Sequence, residues 1–175
     1  MAREVFIILY FHFMESFFLL LLLAKIDIPH AYFDEIKSIE FHSESGYLEI
    51  DGKKEEISGL SKSKTGEIDI YALAYNIQTP IHEIGHVKCN KMGNPKPFGE
   101  GDSISAYGRT NAKEDCAETF MAYYLREHPD TESGENARCD LPRLRTENPD
   151  AFKKCLVIRR WDIAERAKYR REFGE

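Results

Sequence analysis

The residues best equipped for chemistry stand together at His82-Glu83-Ile84-Gly85-His86, an H-E-x-x-H pattern. On a helix, His82 and His86 lie one turn apart on the same face. Two imidazole nitrogens placed that way can reach one metal ion at about 2.0–2.1 Å. Glu83 then sits beside the open coordination position, where its carboxylate can accept a proton from a metal-activated water. Zinc is the ion for this chemistry, and it needs a third protein ligand. No further histidine follows in register: Cys89 and Met92 stand three and six residues after His86.

The third ligand must therefore come from elsewhere. Glu114 and Glu118 are spaced i, i+4, on a ridge that continues through Met121 and Leu125. Carboxylates on a buried stripe need a cation or a hydrogen-bond partner. The helix dipole alone would account for Glu114 in a first turn, but not for Glu118.

Punctuation in the sequence sets the elements that carry these groups. Thr79 is a good N-cap and Pro80 suits the first helical position. Gly93 and Pro95 stop that helix, which spans about Pro80–Met92. Gly85 lets a neighbouring backbone or side chain approach between the ligands. After a Gly- and Pro-rich loop from Gly93 to Ser103, Asn111 is a plausible cap for a second helix ending before Pro129. Its apolar stripe is Ala117, Phe120, Met121, Tyr124 and Leu125. Pro149 opens a last helix, Ala151–Phe173. Upstream, Pro29 begins a short turn or helix. Lys37–His42, Tyr47–Asp51 and Glu67–Tyr71 alternate with period two and read as half-buried strands. Asp51–Gly66 reads as a polar connection, with Ser58–Gly66 a mobile loop. Glu67–Tyr71 is either the sheet edge onto which a peptide adds or an ordinary sheet member. The fold class is α+β.

Composition bounds the partners. The chain has 175 residues, 31% charged and 42% hydrophobic, and a net charge of −6. That is globular, and the acidic balance argues against nucleic acid. Mean hydropathy is −0.48 although the first 24 residues are strongly apolar. Val5–Ala24 is long enough for a membrane or signal-anchor helix; only His12, Glu15 and Ser16 are polar there, sharing one face. A cleaved signal peptide fits less well, because Met1–Glu4 has little net charge and no A-x-A-like site follows. The expected organisation is an apolar segment over residues 1–28 and one domain over 29–175. The expected location is membrane-associated or exported, with the cytoplasm as the alternative.

Cys89, Cys116, Cys139 and Cys155 form no C-x-x-C pair, and four cysteines allow three pairings. The plain reading is four separate thiols. Cys116 lies off the Glu114–Glu118 ridge and reads as packing. The basic run from Lys153 to Arg171 reads as a solvated helix face rather than a membrane or partner contact. His12, His30, His42 and His128 have no partner pattern.

Ile81–His86, then Ser105-Ala106-Tyr107-Gly108-Arg109-Thr110-Asn111, then Glu114-Asp115-Cys116-Ala117-Glu118-Thr119-Phe120, resembles the catalytic domain of anthrax lethal factor and its relatives. These are Glu-zincin metallopeptidases. The resemblance covers about Thr79 to Leu125, with a looser likeness at Asn148–Leu156. It implies a zincin-like core: a small mixed sheet, an active-site helix and a glutamate helix. It implies a zinc-dependent endopeptidase acting on a peptide or protein substrate through a zinc-activated water. His82, His86 and Glu114 would bind zinc, Glu83 would be the general base, and Tyr107 would face the reacting carbonyl. Glu118 would accept a hydrogen bond from a zinc-binding histidine, His82. The linker from His86 to Tyr107 is short, and nothing resembles the long substrate groove, so that family's substrate preference does not carry over. The alternatives are a non-catalytic zincin-fold binding module and a membrane-anchored adaptor.

Overall fold

Alternation becomes a three-stranded sheet in the computed structural model, which describes residues 26–71, 77–126 and 138–173. The strands are β1 (Ser38–His42), β2 (Gly46–Ile50), β3 (Lys53–Ile57), β4 (Gly59–Lys62) and β5 (Glu67–Tyr71). The sheet runs β1–β5–β4, with β1 parallel and β4 antiparallel to β5. Ile39 lies opposite Ile68 and Phe41 opposite Ile70, so one face is apolar. Ile68 and Ile70 on that face are buried. Glu40, His42, Asp69 and Tyr71 take the other face.

Three expectations for this region are corrected. Asp51–Gly66 is not a connection, because it contains β3 and β4. Asp51 and Gly52 both have positive φ and close a two-residue hairpin between β2 and β3. Leu48, expected to be half-buried, is exposed, because this hairpin forms its own two-stranded sheet. Ser58–Gly66 is an edge strand followed by a turn, and Gly66 at φ 74° hands the chain to β5. Glu67–Tyr71 is therefore the central strand, and the edges are β1 and β4.

A short 3-10 helix, His30–Glu35, precedes the sheet. Helix α1 (Gln78–Lys91) begins two residues ahead of the expected start, so Thr79 lies inside it. Its end matches the sequence punctuation, with Gly93 at φ 75°. Ile81, Ile84 and Val87 are buried, each contributing roughly 1.5–3 kcal/mol. Helix α2 (Ala112–Tyr124) is capped by Asn111, whose Oδ1 accepts from the backbone N–H of Lys113 and Glu114 at 2.9 and 3.1 Å. All five residues of its expected stripe are buried. A Cβ at Gly85 would stand 3.1 Å from Ala117 Cα and Phe120 Cβ, so α1 and α2 cross where Gly85 leaves room.

One element was not expected, and the last helix, which Pro149 was expected to open, begins two residues ahead of the range Ala151–Phe173. Helix α3 (Leu141–Glu147) occupies a stretch with no assigned element, capped by Asp140. Helix α4 (Pro149–Phe173) starts at Pro149 itself. Lys154 is not on a solvated face: it is fully buried, 2.7 Å from the buried carboxylate of Asp115.

The cysteines are not separate thiols. Cys89 is bonded to Cys116, joining α1 to α2, and Cys139 is bonded to Cys155 on α4. Cys116 is thus a crosslink and not mere packing. Among the described residues no helix is long and apolar enough to cross a membrane. The apolar segment Val5–Ala24 lies outside the described residues.

Candidate metal centre

Helices α1 and α2 bring the sequence-predicted ligands together. Nε2 of His82 lies 3.0 Å from Nε2 of His86. Oε2 of Glu114 lies 3.1 Å from each of these nitrogens. The three atoms form a nearly equilateral triangle. A tetrahedral ion with bonds of about 2.0–2.1 Å separates its donor atoms by about 3.3 Å. The donor set, two imidazoles and a carboxylate, and its spacing both fit zinc.

The protonation pattern points the same way. Nδ1 of His82 lies 2.8 Å from Oε1 of Glu118. In the neutral ring, Nδ1–H donates to Glu118 and leaves the Nε2 lone pair aimed at Glu114 and His86. Lone pairs so opposed need a proton or a metal ion between them. With no metal, the proton has to serve. Burial alone would lower the His82 pKa, but the bonds to Glu114 and Glu118 outweigh it and hold the ring up at about 9. Burial would raise Glu114, and the two imidazoles instead hold it down at about 2. Glu118 is also lowered: His82 and a hydrogen bond from Ser105 outweigh its burial. Among the described residues, no lysine or arginine pairs with Glu83, Glu114 or Glu118.

Glu83 is buried on α1 next to His82. Burial pushes its carboxyl upward, against the histidines and a hydrogen bond from Ser61 on β4. Tyr107 lies on a 3-10 turn, Tyr107–Arg109, just ahead of α2. Its ring centroid is 5.9 Å from that of His82, and the residue is 57% exposed, so an incoming molecule can reach it. Burial of its inner part and the carboxylates of Glu114, Glu83 and Glu118 push the phenol up to about 12.

Several supporting residues went unread in the sequence. Ser61 sits in what read as a loop. Asp115, beside a ligand, accepts from Gly99 N at 2.8 Å and Ser103 Oγ at 2.7 Å, and pairs with Lys154. It thereby pins the loop that leads to Tyr107. A charged residue in a first helical turn carries little signal of such burial. A second group, Glu40, His42 and Asp69, brings ligand atoms within 4.8 Å of one another on the polar face of the sheet. Comparison with protein-family models, with curated proteins and with solved structures finds no match.

Proposed function

We propose that this chain is a zinc-dependent endopeptidase with a zincin-like core. The observation that carries the reading is the triangle of His82, His86 and Glu114, flanked by Glu83 and Tyr107. The small mixed sheet, the histidine-bearing helix and the glutamate-bearing helix are consistent with that core.

His82, His86 and Glu114 would hold the ion. When bound, zinc supplies Lewis acidity, acidifying water and polarising a peptide carbonyl. Glu83 takes the proton from the attacking water and delivers it to the leaving amine as the C–N bond breaks. Ser61, beside Glu83, favours the charged form of its carboxylate against the pull of burial. Tyr107 stays protonated at neutral pH and donates its O–H to the oxygen that becomes negative in the tetrahedral state. Glu118 fixes the His82 tautomer, so that Nε2 presents its lone pair. The open edge of β4, beside Glu83, offers an extended peptide a strand to pair with.

Two disulfides favour an oxidising compartment. They support export or membrane association over the cytoplasm for this domain.

The test is zinc content together with hydrolysis of casein or a mixed peptide library, with and without chelator. The expected result is about one zinc per chain and chelator-sensitive cleavage. Folded protein that takes up no zinc would sink the peptidase reading and leave the binding module in front.

A further inference from the structure

A cavity of about 220 Å³ opens beside His86, between β4, the second half of α1 and the start of α2. Its walls include Lys64, Lys113, Asn90 and Asn94, with Ser61 and Ser63. No carboxylate lines it, in a chain whose net charge is −6.

The lysines here differ from most others. Lys37 and Lys62 pair with Glu67, Lys88 with Glu165, Lys91 with Glu35 and Lys154 with Asp115. Lys64 and Lys113 have no carboxylate partner among the described residues. Lys113 also stands in the first turn of α2, where the helix dipole disfavours a cation. Its placement weakens the helix locally and leaves a positive charge one residue from a metal ligand. Asn90 Nδ2 donates to Ser63 O at 3.2 Å, tying the turn that carries Lys64 to α1.

We propose that this cavity is a subsite for an acidic side chain, Asp or Glu, of the peptide being cleaved. The proposal rests on the peptidase reading and gives it a substrate class. A direction follows if the peptide takes the more stable, antiparallel pairing with β4. Gly59 faces Thr79 and Glu83, while Ser63 bonds to Asn90, so β4 and α1 run the same way. A peptide added antiparallel to β4 passes its N-terminal half over Ser61–Lys64. The acidic residue therefore lies on the N-terminal side of the scissile bond.

The experiment is digestion of a randomised peptide library by the zinc-loaded full chain, with cleavage sites read by mass spectrometry. Asp and Glu should be enriched over Asn and Gln by roughly tenfold or more within three residues on the N-terminal side. Lys64→Glu and Lys113→Glu, with zinc content retained, should lose that enrichment and gain Lys and Arg at the same position. A cleaved library with no acidic enrichment overturns the inference and leaves the peptidase reading standing. So does enrichment that survives both charge reversals. A library left intact by zinc-loaded wild type overturns the peptidase reading, and this inference with it.

Discussion

At His82, His86 and Glu114, three ligand atoms meet between two buried helices; at Glu40, His42 and Asp69, three meet on the outer face of a sheet. In the sheet group, His42 Nε2 lies 2.8 Å from Asp69, and Lys62 Nζ lies 3.3 Å from the same carboxylate. Burial would raise Asp69, but His42 and Lys62 hold it low. The protein has supplied its own cation there. Around the helix group stand Glu83, Glu114 and Glu118, and no ammonium or guanidinium answers them among the described residues. Closeness of ligating side chains is thus shared by both groups. What separates them is that the buried carboxylates of the helix group have no fixed cation and only the imidazoles to answer them, a condition that a proton on His82 or a metal ion relieves.

That contrast can be broken most directly by counting zinc. Glu114→Ala should drop zinc from about one per chain to near zero, while His42→Ala leaves it unchanged, by elemental analysis of purified protein. Equal loss in both would erase the distinction. Next in size is Glu83→Ala, which should cut turnover by about 10²–10⁴-fold with zinc retained. Near-normal turnover would remove Glu83 as the base. Tyr107→Phe should lower kcat by roughly 10²-fold at constant zinc content, and loss of zinc instead would make it a ligand or a structural group. Glu118→Ala should weaken zinc binding by about 10–100-fold in a competition titration. A loss larger than that of Glu114→Ala would exchange the two glutamates' roles.

The smallest effect is in the pH dependence of the zinc-stripped protein. His82 is raised from 6.5 to about 9, so its contribution to stability is complete below 6.5 and lost as pH rises through about 9. Glu114 is lowered from 4.5 to about 2, so its contribution is present above 4.5 and lost as pH falls through about 2. The Tm of stripped protein should therefore fall between pH 6.5 and 9.5, and that of zinc-loaded protein should fall less. Parallel curves for the two forms would contradict the proton-for-metal exchange drawn from the geometry.

The site was more legible than the sheet that frames it. H-E-x-x-H and the Glu114–Glu118 step carry helical spacing in plain view, and Asn111 announces its helix by residue type. β3 is Lys-Lys-Glu-Glu-Ile, exposed at four of its five positions, so no apolar alternation exists to betray it. The Asp51-Gly52 pair was the readable signal for that hairpin. β4 is four residues long, half-buried at its first three positions and exposed at Lys62, too short for any period to register. Lys154 and Asp115 bury their charges against each other across 39 positions of sequence, a pairing that only tertiary packing decides. Cys89 and Cys116 lie on different helices, and their meeting depends on a crossing angle that spacing does not encode.

That crosslink has a consequence for how the ligand set is assembled. His82 and His86 belong to one helix, and Glu114 to another that is reached through a long loop. The Cys89–Cys116 bond closes a loop with a sequence separation of 27, which removes on the order of 3–4 kcal/mol of unfolded-chain entropy. It also keeps the carboxylate at high effective concentration beside the imidazoles when the helices loosen. With an ion bound as proposed, the three side chains would behave as a tethered chelator, whose third arm could not diffuse away when one of the other two let go. Where that bond is reduced, only helix packing holds the arm in reach.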